Sequence, residues 1–128
     1  MITPRIVTNF IEHPNTAQTD PAGGIRIVNV MGDEHVGIDM ADMKPQSSVT
    51  AHYHKSGNEI YRIIHGGGRI HSCLPSANDT LNRNRSVDLK SGDYFTINEG
   101  LVHQLENTGS APMIACFVCP AAHIGHDR

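Results

Sequence analysis

Apolar and polar positions alternate along this chain in short runs broken by turn-forming residues. No long stretch keeps apolar residues at the three- and four-residue intervals of an amphipathic helix. Instead, segments rich in Val, Ile, Tyr and Phe recur as IRIVNVM (25–31), VGIDMADM (36–43), SVTAHYH (48–54), EIYRIIH (59–65), RIHSCL (69–74), RSVDLK (85–90), YFTIN (94–98), VHQLEN (102–107) and MIACFVC (113–119). Each reads as a strand. Gly32-Asp33, Lys55-Ser56-Gly57-Asn58, Ser91-Gly92-Asp93 and Thr108-Gly109-Ser110 separate them with turn chemistry. Many short strands at regular spacing predict an all-β sandwich or barrel. Residues 25–119 are the expected barrel. The stretch PSANDTLNRNR (75–85) is expected to be a surface loop between hairpin strands. Residues 1–24 are expected to form an N-terminal arm or one extra strand, and residues 120–128 an exposed tail.

Composition narrows the class. A chain of 128 residues, 38% hydrophobic and 18% charged, is one domain long enough to bury a core without staples. The net charge of −3 argues against nucleic acid, which calls for a clustered basic face. Arg83 and Arg85 make the one basic cluster and read as part of a solvated loop. No apolar run approaches the length of a membrane span, and the first residues lack a secretory pattern, so a cytoplasmic protein is expected. Three cysteines cannot all pair within one chain. Cys116 and Cys119 form C-x-x-C inside an apolar strand, where packing explains them better than redox chemistry.

The chemistry concentrates in AHYHKSGNEIYRIIHGGG (51–68). On a strand, His52 and His54 project to one face, with Tyr53 opposite. A four-residue turn then brings Glu59 back beside them in the expected hairpin, and its face continues through Tyr61 and Ile63. Two imidazoles and a carboxylate make a partial metal site that asks for a further ligand or for waters. His103, flanked on its strand face by Leu101 and Leu105, is the candidate. Tyr61 either donates to a substrate or is an aromatic core residue. His71 is a candidate general acid or base near the metal. His65 reads as a plain hairpin histidine, and Asn107 as a turn tie. His123 and His126 lie in the tail without a geometry of their own. No lysine or serine follows Gly66-Gly67-Gly68 at P-loop spacing, which excludes a nucleotide loop.

HYHKSGNEIYRIIHG resembles the first motif of the cupin superfamily, G-x5-H-x-H-x3,4-E-x6-G, with His52, His54, Glu59 and Gly66 on its H, H, E and closing G. GDYFTINEGLVHQLEN is similar to the second, G-x5-P-x-G-x2-H-x3-N, with Gly92, Gly100, His103 and Asn107 on its G, G, H and N. Gln46 stands at the leading glycine and Asn98 at the proline, both turn positions rather than ligands. The resemblance implies a double-stranded β-helix, a jelly-roll barrel. It implies one divalent transition metal (Fe, Mn, Ni, Zn, Co or Cu) held by His52, His54, Glu59 and His103.

By the same resemblance the function is expected to be that of a metal-dependent enzyme of dioxygenase, isomerase or cyclase, or lyase type, acting on a small oxygen-rich molecule. Glu59, Tyr61 and His71 are its candidate catalytic groups. The alternative is a barrel that binds a sugar or carboxylate without turning it over. A storage role fits poorly with an intact ligand set. The expected partners are a small molecule and a second copy of the chain, with residues 6–13 as a strand exchanged or added in a homodimer. Neither nucleic acid nor membrane is expected.

Overall fold

The structure, a computed structural model, describes residues 18–20, 25–73 and 85–120. Among the described residues nine strands follow one another: β1 (Gln18–Asp20), β2 (Ile25–Gly32), β3 (Val36–Met43), β4 (Glu59–His65), β5 (Gly67–Cys73), β6 (Arg85–Lys90), β7 (Tyr94–Ile97), β8 (Val102–Glu106) and β9 (Met113–Pro120). They form a six-stranded sheet in the order β1-β2-β3-β9-β4-β7 and a three-stranded sheet in the order β6-β5-β8. Every pairing is antiparallel. The β3–β9–β4 neighbours are distant in sequence, which is what rolling the chain into a jelly roll demands. Among the described residues no helix is long and apolar enough to cross a membrane.

Period-two alternation sets the interior. On β9, Met113, Ala115, Phe117 and Cys119 are buried, and the residues between them are half-buried. β4 buries Glu59, Tyr61 and Ile63 and exposes Ile60, Arg62 and Ile64. β5 and β8 supply Ile70 and Leu105 from the smaller sheet, so the core fills the space between the sheets. Cys116 and Cys119 fall on opposite faces of β9 and are free thiols, Cys119 alone pointing inward.

The expected strand over 48–54 is not one. Ser48 bridges Glu106 and His52 bridges His103, but the register slips by one residue between the two bridges. That slip breaks the ladder, as an extra residue in one strand does. Residues 48–54 therefore run irregularly along β8, in contact with the smaller sheet. Glu59 opens β4, which pairs with β7 and β9 in the larger sheet. The turn over 55–58 is thus a crossing between sheets and not the hairpin turn the sequence suggested.

Two turn positions explain the local sequence. Gln46 takes a left-handed backbone, φ 63°, at the place of the leading glycine. Its side-chain Nε2 donates to the carbonyls of Thr108 (3.1 Å) and Gly109 (2.9 Å), which offsets the strain of a non-glycine there. Gly68 passes so close to the Glu106 carbonyl and the Met113 sulfur that no Cβ fits. Asn107 ties the adjoining chain together. Its amide donates to the carbonyls of Met43, Lys44 and Ala111, and its Oδ1 accepts from Gly109 N–H. Residues 6–13, the loop residues 75–84, His123 and His126 lie outside the described residues.

Candidate metal centre

Three histidines come from the smaller-sheet side of the barrel and one glutamate from the larger sheet. His52 and His103 exchange both backbone hydrogen bonds, at 3.1 and 2.9 Å. The Gly100 amide donates to the His54 carbonyl at 2.8 Å. The turn that carries the chain to Glu59 is fastened to the loop before β8: Gly57 N–H donates to Glu99 Oε2 and Glu99 N–H to Asn58 Oδ1, each at 2.9 Å. Backbone and loop contacts, rather than the side chains themselves, hold the four groups at one depth.

The rings converge. Centroids of His52 and His103 lie 4.4 Å apart, His52 and His54 5.1 Å, and His54 and His103 5.7 Å. One ligand atom from each of His52, His54, Glu59 and His103 lies within 4.8 Å of all the others. His52 Nδ1 donates to the Thr50 carbonyl at 2.8 Å, and His103 Nδ1 to the Leu101 carbonyl at 3.0 Å. A carbonyl only accepts, so Nδ1 carries the proton in both rings and Nε2 offers its lone pair.

Glu59 Oε1 stands 2.9 Å from His54 Nε2 and 3.4 Å from His103 Nε2. Yet Glu59 Oε1 and His103 Nε2, both fully shielded from water, meet no hydrogen bond of proper geometry among the described residues. Burial raises the Glu59 pKa, whereas His103 and His54, when protonated at Nε2, would outweigh it and hold the carboxyl down at about 2. Buried polar atoms rarely go without a partner, because an unmet one costs about 1–3 kcal/mol. A cation among them would satisfy both atoms at once. The residues therefore fit a divalent metal, and mixed imidazole and carboxylate ligands suit the first-row transition ions.

The pocket around these four groups has apolar walls: Ile27, Ala41, Val49, Leu105 and Phe117 line it together with Tyr61. Tyr61 is sandwiched between Phe95 and Phe117, at ring separations of 4.9 and 5.2 Å, and its ring meets His103 edge-on at 6.4 Å. His71 is placed elsewhere. Its neighbour Ile70 faces the core, so His71 points out of the barrel, where its ring reaches Ser86 and Glu106. That corrects the expectation that it stands near the metal; counting strand faces from a fixed register would have placed it. His65 is exposed.

One buried polar group was not singled out from the sequence. Asp39, fully buried on the inner face of β3, accepts from Asn29 Nδ2 at 2.9 Å and meets the Cys119 thiol at 3.4 Å. Burial raises its pKa, and the charge of Glu59 adds to the effect. The signal was present: in VGIDMADM, Asp39 shares a face with Gly37, Ala41 and Met43.

A family model described as Cupin matches residues 15–125. No curated protein matches the sequence. Among solved structures, a predicted oxalate decarboxylase from Thermotoga maritima superposes with TM-score 0.71 at 24% identity, covering 90% of this chain and 98% of that one. KdgF from Halomonas sp. gives TM-score 0.69 at 15% identity, with 88% and 93% covered. A sugar phosphate isomerase from Silicibacter pomeroyi gives 0.63 at 17%, with 76% and 59% covered. At these identities the likeness is one of fold.

Proposed function

The chain belongs to the cupin family, and on that premise we propose that it is a mononuclear metal enzyme acting on a small acid with neighbouring oxygen atoms. His52, His54, Glu59 and His103 would hold one divalent transition metal. The observation that carries this reading is that Glu59 Oε1 and His103 Nε2 are buried without a hydrogen bond of proper geometry, within 4.8 Å of ligand atoms of His52 and His54. A divalent ion bound there supplies a Lewis acid for a substrate oxygen or a seat for O₂.

The chain's own residues do the rest. The Thr50 and Leu101 carbonyls fix the ring orientations of His52 and His103. The apolar walls exclude water and strengthen every charge interaction within. Tyr61 lines the same pocket, and its hydroxyl would be the group to meet a bound ligand. Among the described residues no Lys or Arg lines the pocket. Among the described residues a phosphorylated sugar would find no side-chain cation, whereas a small carboxylate's charge would be met by the ion that the four ligands would hold. That difference gives the Thermotoga neighbour, a predicted oxalate decarboxylase, more weight than the sugar phosphate isomerase.

One observation favours a second reading. With His71 outside the barrel, Tyr61 is the one titratable side chain lining the pocket besides the four ligands, among the described residues. Such a pocket suits capture of a carboxylate without turnover. Incubating metal-loaded protein with a panel of oxalate, glycolate and short hydroxy- and keto-acids, with and without O₂, separates the two. New product or oxygen uptake supports the enzyme, and saturable binding without conversion supports the binding barrel.

A homodimer is proposed as well. Ile60 and Tyr94, exposed on the outer face of the larger sheet, support it; light scattering returning a monomer would remove it.

A further inference from the structure

On the outer face of the smaller sheet three side chains form a chain of hydrogen bonds that the metal centre does not use. β5 pairs His71 with Ser86 of β6 on one side and with Gln104 of β8 on the other. His71 Nδ1 lies 2.7 Å from Ser86 Oγ, and His71 Nε2 lies 2.8 Å from Glu106 Oε1. His71 is 1% exposed, while Ser86 is exposed. Ionised Glu106 only accepts, so Nε2 carries a proton toward it and Nδ1 is left to accept from the serine hydroxyl. A hydroxyl in reach of a base, with the base oriented by a third group, is the arrangement that activates a nucleophile. Ile70 and Leu105, the chain neighbours of His71 and Glu106, face the core, so this group lies across the sheet from the metal ligands.

We propose that Ser86, His71 and Glu106 form a second, metal-independent site at which Ser86 Oγ is acylated by small esters with good leaving groups. The Ser86 hydroxyl gives its proton to His71 Nδ1 as its oxygen bonds the acyl carbon. The carbon–oxygen bond to the leaving group breaks, and His71 returns the proton to the departing oxygen. Water, deprotonated by His71 in turn, then hydrolyses the acyl-serine to the free acid and restores Ser86. Gln104 and Arg69 share this sheet face, with Arg69 Nε donating to Asp88 Oδ1 at 2.8 Å. Buried His71 is held from both sides, so the base is oriented before any ester arrives.

The test treats the full chain with p-nitrophenyl acetate and, separately, with a fluorophosphonate, and locates adducts by peptide mass spectrometry. Metal-loaded, chelator-stripped and urea-unfolded samples are compared. The expected result is modification of Ser86 at least ten times faster in the folded protein than in the unfolded one, with the same rate after metal removal. Ser86→Ala removes the adduct, and Glu106→Gln slows its formation at least tenfold. Labelling of Ser86 no faster in the folded than in the unfolded chain overturns the proposal even if the Glu106 variant fails to fold. Loss of Ser86 labelling on metal removal overturns it too, by showing that the reaction depends on the metal.

Discussion

His52 and His103 face each other on an isolated antiparallel bridge and exchange two backbone hydrogen bonds, with their rings 4.4 Å apart. The register between two segments 51 residues apart in sequence is thus fixed by main chain. Side-chain truncation at either position should leave that bridge intact. His52→Ala and His103→Ala are expected to lose bound metal while keeping the far-ultraviolet spectrum of a β protein. In metal-free samples the half-buried His52 should cost less than about 1 kcal/mol, and the fully buried His103 about 1–3 kcal/mol. Urea titrations of the stripped proteins check both values. Unfolding of either variant in the absence of denaturant would contradict a backbone-held site.

Asp39 offers a pH signature. Burial raises its pKa, so the fold favours its neutral form. Its contribution is therefore full below the ordinary carboxylate range, about pH 4, and is lost as pH rises through the higher folded value. Metal-free wild type should lose stability relative to Asp39→Asn over that rise, by up to about 1.4 kcal/mol per pH unit. The variant keeps the shape of the side chain and cannot ionise. Parallel stability curves from pH 4 to 8 would show that Asp39 ionises without cost.

Gln46 tests how a turn tolerates a departure from the family pattern. At φ 63° a side chain is strained, and two hydrogen bonds from its amide offset that strain. Gln46→Ala keeps the strain and drops the bonds, and should cost about 1–2 kcal/mol. Gln46→Gly drops the bonds but relieves the strain, and should melt above the alanine variant by about 1 kcal/mol equivalent. Calorimetry of the two variants reads the difference directly; an alanine variant as stable as the glycine one would contradict it.

Most of the fold was legible because alternation is a local property. Strands over 36–43, 59–65 and 85–90 have the bounds that the apolar pattern indicated. The inward set of Glu59, Tyr61 and Ile63 followed from counting by twos. What failed was pairing. SVTAHYH alternates like a strand, yet a one-residue register slip against β8 leaves it irregular, and its turn crosses between sheets. Pairing depends on residues far along the chain, which a local pattern does not encode. The same gap hid which way His71 points, since its face depends on the register of β5 against β6 and β8. Asp39 was legible, since by alternation it shares the inward face of β3 with Gly37, Ala41 and Met43.

Tyr61 lines the pocket between two stacked phenylalanines. Tyr61→Phe keeps the stack and removes the hydroxyl. If that hydroxyl meets the bound acid, the variant should retain metal and weaken ligand binding or kcat/KM about tenfold, the worth of one hydrogen bond to a charged group. Unchanged affinity and rate would leave Tyr61 as a packing residue.

His52, His54, Glu59 and His103 would together hold a single ion. Elemental analysis of protein purified without chelator or affinity nickel tests it, with Glu59→Gln as the partner sample because it keeps volume while removing the charge. The expected result is about one first-row transition ion per wild-type chain and less than a tenth of that in the variant. Wild type free of metal, and failing to take up Fe²⁺, Mn²⁺, Co²⁺, Ni²⁺, Cu²⁺ or Zn²⁺ when each is supplied, would contradict it.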